Sequence, residues 1–126
     1  YIPKLSWYVA CHIHEDTISI NGIQVPGEKY KSMTLFSHIG VYKDGQLVSG
    51  PGESEGYKIV CENSAPEVIS CTMDGYYAPD YGEYWNIVTG TPRQEGTATV
   101  TLYLYQIVSG ELILIDTWSW YLTIVQ

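Results

Sequence analysis

The sequence predicts an all-β fold, an antiparallel β-sandwich of two sheets, and three observations support this prediction. The composition is rich in Thr, Val, Ile and Tyr and poor in Ala and Lys, a balance that favours strands over helices. About eight segments of strand character follow one another at roughly even spacing, with no credible helix between them. The length of 126 residues suits one domain, so residues 1–126 are interpreted as a single unit.

The clearest strand pattern lies in the last third of the chain. In 97–107, TATVTLYLYQI, aliphatic side chains alternate with Thr and Tyr, as expected of a strand with one buried face. The turn VSGE follows at 108–111, and residues 112–125 complete a long hairpin. The side chains expected to face inward from this last segment share one parity: Leu112, Leu114, Trp118, Trp120, Leu122 and Ile124. Asp116 interrupts that set, and a β-bulge or a strand bend nearby would move it off the core.

The earlier segments are consistent with the same fold class. The remaining predicted strands are 6–13, 17–20, 31–42, 57–61, 67–73 and 83–90. Turns are expected at 21–22 (NG) and 43–46 (KDGQ), and a polar loop at 50–56 (GPGESEG). Residues 74–83 are interpreted as a long loop that forms the enlarged tip of a hairpin, with Gly75, Pro79 and Gly82 shaping the turn.

The charge balance excludes several classes of partner. The formal net charge is −8 and no basic cluster is present, so neither nucleic acid nor an anionic membrane surface is an expected partner. No run of 18 apolar residues predicts a transmembrane helix, and no membrane insertion is expected. The chain begins with YIPKLSW and no signal peptide, which we interpret as a mature product or an excised domain. No cofactor is expected.

Four pieces of sequence occur in a characteristic order: GEKYKSMTL, YKDGQLV, CENSAPEVISC and IVTGTPRQEGTATVTL. Together, over 28–102, they resemble the bacterial immunoglobulin-like domains of group 2, found in intimin- and invasin-type adhesins. The resemblance implies an immunoglobulin-like antiparallel β-sandwich of about 7–9 strands in two sheets. Residues 1–27 lie outside it, and Cys61 stands where the family often has a core Trp.

The resemblance also implies a class of function. It indicates a non-catalytic module of a bacterial cell-surface or secreted protein, acting in adhesion or as a spacer that presents neighbouring domains. The expected partners are then a protein or glycan on a cell surface, and neighbouring domains of a longer chain. Two alternatives are a carbohydrate-binding module with a Tyr/Trp-rich loop and a structural or decoration domain of a bacteriophage particle. The family has no fixed catalytic or binding motif, so no functional residue is carried over.

The candidate ligand site is the aromatic stretch DGYYAPDYGEYWN at 74–86. Its candidate ligand-binding residues are Tyr76, Tyr77, Tyr81, Tyr84 and Trp85. Aromatic rings bury apolar area and keep a polar edge, which suits both protein interfaces and sugar faces. Trp85 is expected to face inward and fix the base of the loop, leaving Tyr76, Tyr77 and Tyr81 free. The favoured alternative is that Tyr84 and Trp85 only anchor the loop. In that interpretation the outward-facing tyrosines of the last hairpin, Tyr103, Tyr105 and Tyr121, form cross-strand pairs.

Cysteine and acidic or histidine residues supply the other candidates. Cys61 and Cys71 have inward parity and would form a disulfide if their Cα atoms lay about 4.4–6.8 Å apart; two buried free thiols are the favoured alternative. The weak metal candidates are His12 and His14, with Glu15, Asp16 or His38 as a third ligand, and Asp74, Asp80 and Glu83 for Ca²⁺. Solvated polar surfaces are favoured over both metal sites.

Catalysis is not expected. A nucleophile needs a Ser or Cys beside a positioned His, and no Gly-x-Ser-x-Gly elbow occurs in the chain.

Overall fold

The computed structural model describes residues 7–14, 16–19, 32–48 and 56–125. These ranges contain nine strands and no helix, and therefore no helix long and apolar enough to cross a membrane. The strands are β1 (Trp7–Ile13), β2 (Thr17–Ser19), β3 (Met33–Lys43), β4 (Gln46–Leu47), β5 (Tyr57–Asn63), β6 (Ile69–Ala78), β7 (Glu83–Pro92), β8 (Gly96–Val108) and β9 (Glu111–Val125). All eight predicted strands are confirmed, and the short β4 is additional. Glu15, the turn at 21–22 and residues 50–55 lie outside the described residues.

The strand order is that of an immunoglobulin-like sandwich. One sheet has the order β1-β3-β7-β6, with β4 paired to β3, and the other has the order β2-β9-β8-β5. In immunoglobulin nomenclature the first sheet is A-B-E-D, and β5, β8 and β9 of the second are C, F and G. All pairs are antiparallel except β2 with β9, which is parallel. The predicted all-β immunoglobulin-like sandwich is confirmed.

The core lies between the inner faces of the two sheets. Phe36 of β3 and Trp118 of β9 meet across this space, with ring centroids 5.2 Å apart and an edge-to-face angle of 84°. The largest fully buried side chains come from both sheets: Phe36, Leu35, Ile39, Ile69, Leu102, Leu104, Leu122 and Ile124 among them. Each such side chain contributes about 1.5–3 kcal/mol when fully buried. The two-residue periodicity of the sequence is the signature of this one-sided burial.

Two tight turns were correctly located from their sequence. Asp44 and Gly45 connect β3 to β4 with φ of 51° and 80°, and Ser109 and Gly110 connect β8 to β9 with φ of 52° and 81°. Positive φ at both central residues is typical of a type I′ turn, whose twist matches that of the strands it joins. Gly tolerates such a backbone without steric strain.

A β-bulge in β9 changes which face its side chains occupy. The pairing passes from Leu104 with Asp116 to Tyr105 with Leu114, so Ile115 is an extra residue on the β9 side. The bulge predicted near Asp116 is present, but its predicted effect is wrong: Asp116 lies opposite the fully buried Leu104 and keeps the core-facing parity. The inward placement of Leu112 and Leu114 is wrong, because one extra residue reverses the parity of everything on the turn side. Both leucines pair with outward-facing positions of β8 and are about half exposed.

Candidate functional site

The tyrosine-rich stretch 74–86 is mostly paired strand. β6 continues to Ala78 and β7 begins at Glu83, leaving only the turn Pro79–Gly82 between them. The Tyr81 N–H donates a hydrogen bond of 3.1 Å to the Ala78 carbonyl, and Gly82 has a φ of 64°. The hairpin predicted for this stretch is confirmed, but the long loop predicted at its tip, 74–83, is wrong. Aromatic side chains directly opposite each other stabilise paired strands, and they extend this hairpin beyond the point where the aliphatic pattern stops.

Strand pairing divides the predicted binding residues between two faces. Tyr76 lies opposite Trp85, and Tyr77 lies opposite Tyr84. Residues that are opposite each other share a face, and successive residues alternate. Tyr77 and Tyr84 have the parity of the buried Val88, whereas Tyr76 and Trp85 project from the outer face of the first sheet. The five predicted residues are therefore not a single cluster.

The outer face of the hairpin carries a pocket of about 430 Å³. Its described lining is His38, Tyr76, Ala78, Tyr81, Glu83 and Trp85. Tyr81, at the turn, is 78% exposed, so one wall of the pocket stands free in solvent. Ala78 contributes only a methyl group, which leaves room between the larger side chains. An apolar concave surface with a few polar groups is the usual form of a small-molecule site.

Trp85 is the largest side chain of this pocket, and its predicted inward orientation is wrong. Val88 faces the core, and Trp85 is an odd number of residues away, so strand alternation places its indole outside. The ring lies over the backbone of β3 at Gly40, where a Cβ would come within 2.6 Å of Trp85 Cζ3. The absence of a side chain at Gly40 therefore allows Trp85 to cover the sheet.

His38 forms the other side of the Trp85 contact. The two ring centroids are 5.4 Å apart at 83°, an edge-to-face arrangement. His38 sits at an irregularity where the β3–β7 register shifts between Phe36 and Ile39, and its φ is 51°. A non-Gly residue at positive φ is uncommon and persists where its surroundings hold it.

Side-chain hydrogen bonds link His38 through Ser37 to His14. Ser37 Oγ lies 3.2 Å from His38 Nδ1 and 2.5 Å from His14 Nε2. Ser37 is only 6% exposed, so its hydroxyl is a buried bridge between the two imidazoles. Sequence reasoning missed the place of His38 in the pocket and weighed it only as a third metal ligand. No sequence signal marks this bulge, because it arises from how β3 pairs with both neighbours.

The inward-parity tyrosines have different surroundings. The Tyr84 hydroxyl lies against Gly75, where any Cβ would collide with it. The Tyr84 side chain therefore packs against Gly75 within the hairpin. Tyr77 is 57% exposed but on the face opposite to Tyr76, so of the three tyrosines expected to be free only Tyr76 and Tyr81 line the pocket.

The metal candidates are dispersed. His12 and His14 share a face as predicted, with ring centroids 5.1 Å apart. Asp74 pairs opposite Ile87 within the hairpin, Asp80 lies in the turn, and Glu83 lines the pocket. Across the described ranges, no group of three or more His, Cys, Asp or Glu side chains is arranged to hold a metal ion. The geometry of those ranges therefore adds no support to either metal hypothesis.

The three cysteines are free thiols in the structure. Burial raises the pKa of Cys11 to about 11. Burial, with a contribution from Glu62, raises the pKa of Cys61 to about 11. Burial, with a contribution from Cys61, raises the pKa of Cys71 to about 12. Because desolvation disfavours the thiolate, all three are weak nucleophiles at neutral pH.

A second groove, of about 340 Å³, lies on the outer face of the other sheet. Its described lining is Glu62, Asn63, Ser64, Thr99, Thr101 and Tyr103. The negative charge of Glu62, and its hydrogen bond to the phenol, raise the pKa of Tyr103. With one aromatic ring and mostly short polar side chains, this groove offers a ligand less apolar area than the hairpin pocket.

Fold and site together define a class: an immunoglobulin-like β-sandwich with an aromatic pocket on the outer face of its A-B-E-D sheet. The chain matches no protein-family model, no curated protein and no solved structure. The resemblance to bacterial immunoglobulin-like domains of group 2 therefore stays a prediction.

Proposed function

We propose that the protein is a non-catalytic recognition module that binds a neutral glycan in the hairpin pocket. The observation that carries this proposal is the convergence of Tyr76, Tyr81 and Trp85 on one pocket of about 430 Å³. Tyr76 and Trp85 are directly opposed on paired strands, so their spacing is fixed by the sheet. Sites built on paired strands hold their geometry more firmly than sites built on loops.

The chemistry of the lining suits a sugar. Aromatic faces pack against the C–H faces of a pyranose ring, as they do against other apolar surfaces. Glu83 and His38 supply polar atoms that can accept or donate hydrogen bonds to sugar hydroxyls. Glu83 inside the pocket and the net charge of −8 both repel an acidic sugar, so the expected ligand is neutral.

Binding without catalysis is supported by the same residues. Glu83 is the only carboxylate among the described residues of the pocket lining, whereas most glycosidases require a pair. The Ser37 hydroxyl, although it contacts His14, is buried beneath the strand and is not presented to a substrate.

The directions of β1 and β9 bear on the placement of this module in a longer chain. Near the start of β1, the Val9 N–H donates a hydrogen bond to the Asp116 carboxylate of β9. Further along the chain, β2 runs parallel to the end of β9. From Asp116 to Val125 the strand advances nine residues, roughly 30 Å at 3.3 Å per residue. β1 therefore begins and β9 ends at opposite ends of the sandwich. This geometry suits a module placed in line in a bacterial cell-surface or secreted protein, acting in adhesion or presenting neighbouring domains. No feature of the described residues favours a structural domain of a bacteriophage particle over a module of a cell-surface or secreted protein.

Glycan-array screening followed by calorimetry on the best neutral glycan tests the proposal. Trp85→Ala and Tyr81→Ala are each expected to weaken binding about tenfold or more, since each removes a stacking surface. Tyr77→Ala is the matched control, because Tyr77 lies on the same hairpin but on the opposite face. Absence of binding to every glycan, or equal effects of Tyr77→Ala and Trp85→Ala, would overturn the proposal.

A further inference from the structure

Cys61 and Cys71 occupy edge strands of opposite sheets. Cys61 lies in β5 opposite the fully buried Leu102, and Cys71 lies in β6 opposite Gly90. Because opposite residues share a face, both thiols point into the space between the sheets. Both pack against the core and are partly exposed. They are the inward-facing thiols of the two strands that form one open side of the sandwich.

The connection between β5 and β6 places Cys61 and Cys71 at matching positions along their strands. β5 ends at Asn63 and β6 begins at Ile69, so five residues cross from one sheet to the other. Asn63 Nδ2 donates a hydrogen bond of 2.6 Å to the Ile69 carbonyl, and Asn63 Oδ1 accepts one of 3.1 Å from the Ala65 N–H. Cys61 lies two residues before Asn63, and Cys71 lies two residues after Ile69. The two side chains therefore stand at equal distances along the chain from a fixed link between the sheets.

We propose that Cys61 and Cys71 form a reversible disulfide that ties the two sheets together at this edge. The bond requires their Cα atoms to approach to about 4.4–6.8 Å, and the short connection limits how far the edges can separate. This proposal concerns the scaffold and is independent of glycan binding.

The oxidant is a low-molecular-weight disulfide, and the reaction is two thiol–disulfide exchanges. In the first, the Cys61 thiolate attacks one sulfur of the small disulfide, forming a mixed disulfide and releasing one small thiolate. In the second, the Cys71 thiolate attacks Sγ of Cys61, forming the Cys61–Cys71 bond and releasing the second small thiolate. The two protons lost from the cysteines pass through solvent to the released thiolates. The small disulfide gains the two electrons that the protein gives up.

The ionisation of the thiols fits this order. The pKa of Cys61 is about 11 and that of Cys71 is about 12, so Cys61 supplies more thiolate for the first attack. The charge of Cys61 contributes to the raised pKa of Cys71, which is a consequence of their proximity. Both pKa values lie well above neutrality, so the exchange is expected to be slow at pH 7 and faster at pH 9.

Cys11 is a natural control within the same chain. It lies in β1, at the opposite end of the strand order β1-β3-β7-β6 from Cys71. Three strand spacings of about 4.8 Å separate β1 from β6 within that sheet, a span of roughly 14 Å that no disulfide bridges. Cys11 should therefore form no disulfide with Cys71, and any mixed disulfide that it forms with the small oxidant is recognised by its added mass.

The test uses the intact wild-type chain incubated at pH 9 with oxidised glutathione and then alkylated under denaturing conditions. The expected result is that at least two of the three thiols escape alkylation and that peptide mapping finds Cys61 linked to Cys71, with Cys11 in no disulfide within the protein. The melting temperature should rise by about 5–15 °C and fall back on reduction. Three alkylatable thiols, or linkage of either residue to Cys11 or between chains, would overturn the proposal. Cys11→Ser should behave as wild type, and the wild-type peptide map decides the question even where Cys61→Ser or Cys71→Ser fails to fold.

Discussion

The backbone N–H of Val9 donates a hydrogen bond of 2.9 Å to Oδ2 of Asp116, a residue 107 positions later in the sequence. The bond joins β1 of one sheet to β9 of the other, and Oδ1 of the same carboxylate accepts a hydrogen bond of 3.0 Å from the Thr117 N–H. The β-bulge at Ile115 precedes this residue directly. A carboxylate that interrupts an apolar strand pattern thus closes one side of the sandwich.

Asp116→Ala is expected to lower the free energy of unfolding by about 1–3 kcal/mol, because the partly buried Val9 N–H loses its acceptor. Asp116→Asn keeps a carbonyl oxygen and should lose less. Urea denaturation measures both. Asp74→Ala, at an exposed carboxylate, is the control and should change stability by less than about 0.5 kcal/mol. Equal stability of Asp116→Ala and wild type would show that the bond contributes nothing.

The bulge in β9 makes two leucines of identical parity respond differently to truncation. Leu122 is fully buried, whereas Leu114, beyond the bulge, is 49% exposed. Leu122→Ala should destabilise the protein by about 2–5 kcal/mol, and Leu114→Ala by under about 1 kcal/mol. Chemical denaturation of the two variants side by side provides the measurement. If Leu114→Ala matched Leu122→Ala, the register in which Ile115 is the extra residue would be wrong.

Gly40→Ala tests the contact between β3 and Trp85. The added Cβ would lie 2.6 Å from Trp85 Cζ3 and 2.9 Å from Leu47 Cδ1, so the indole must move. We expect a loss of stability of about 1–3 kcal/mol, a shift in tryptophan fluorescence and weaker glycan binding. In a Trp85→Leu background the same substitution should destabilise less, since the clashing ring is gone. Additive effects in this double-mutant cycle would rule out the contact.

Ser37→Ala removes the hydroxyl between His14 and His38. Its loss should lower the free energy of unfolding by about 0.5–1.5 kcal/mol and reduce glycan affinity, because His38 is no longer held beside Trp85. Ser119→Ala is the control: its hydroxyl also makes a side-chain hydrogen bond, 3.0 Å from that of Thr101, but on an exposed surface. Calorimetric binding and thermal unfolding compare the two. Unchanged affinity in Ser37→Ala would show that the Ser37 hydroxyl does not position His38 for glycan binding.

The raised thiol pKa values predict how stability depends on alkaline pH. Cys11 and Cys61 have a pKa of about 11 and Cys71 of about 12, against 9.0 for an unperturbed thiol. The folded state therefore retains thiol protons that the unfolded state loses, so this contribution is complete below pH 9 and is lost as pH rises through 11 to 12. Unfolding midpoints should fall between pH 9 and pH 11 under reducing conditions.

Alkylation rates supply an independent check on the same thiols. At pH 8 the native protein should react with iodoacetamide about tenfold more slowly than an unperturbed thiol, because a smaller thiolate fraction outweighs its greater nucleophilicity. The urea-unfolded chain is the control and should react at the ordinary rate. Equal rates for the native and unfolded protein would contradict the burial of the three cysteines.

Sequence periodicity predicted the sandwich because burial on one face of a strand is a local property. The alternation around Val100 and Leu102 requires only that one side of the strand meet the core. The turns at Asp44–Gly45 and Ser109–Gly110 were located for a similar reason, since positive φ restricts residue type. The aromatic hairpin was harder to predict, because its strand extension depends on the cross-strand pairs Tyr76–Trp85 and Tyr77–Tyr84.

The sequence by itself determined the fold class, nearly every strand, and the stretch in which the candidate binding residues lie. Tertiary structure decided which side of the sheet each of those residues occupies. At each bulge one extra residue moves the side chains beyond it to the other face of the sheet. The bulges at Ile115 and between Phe36 and Ile39 depend on pairing between distant strands. Trp85 lies outside over Gly40, and His38 joins it, because β3 and β7 meet in one particular register. That register brings together residues more than forty positions apart, which a local pattern in the sequence does not encode.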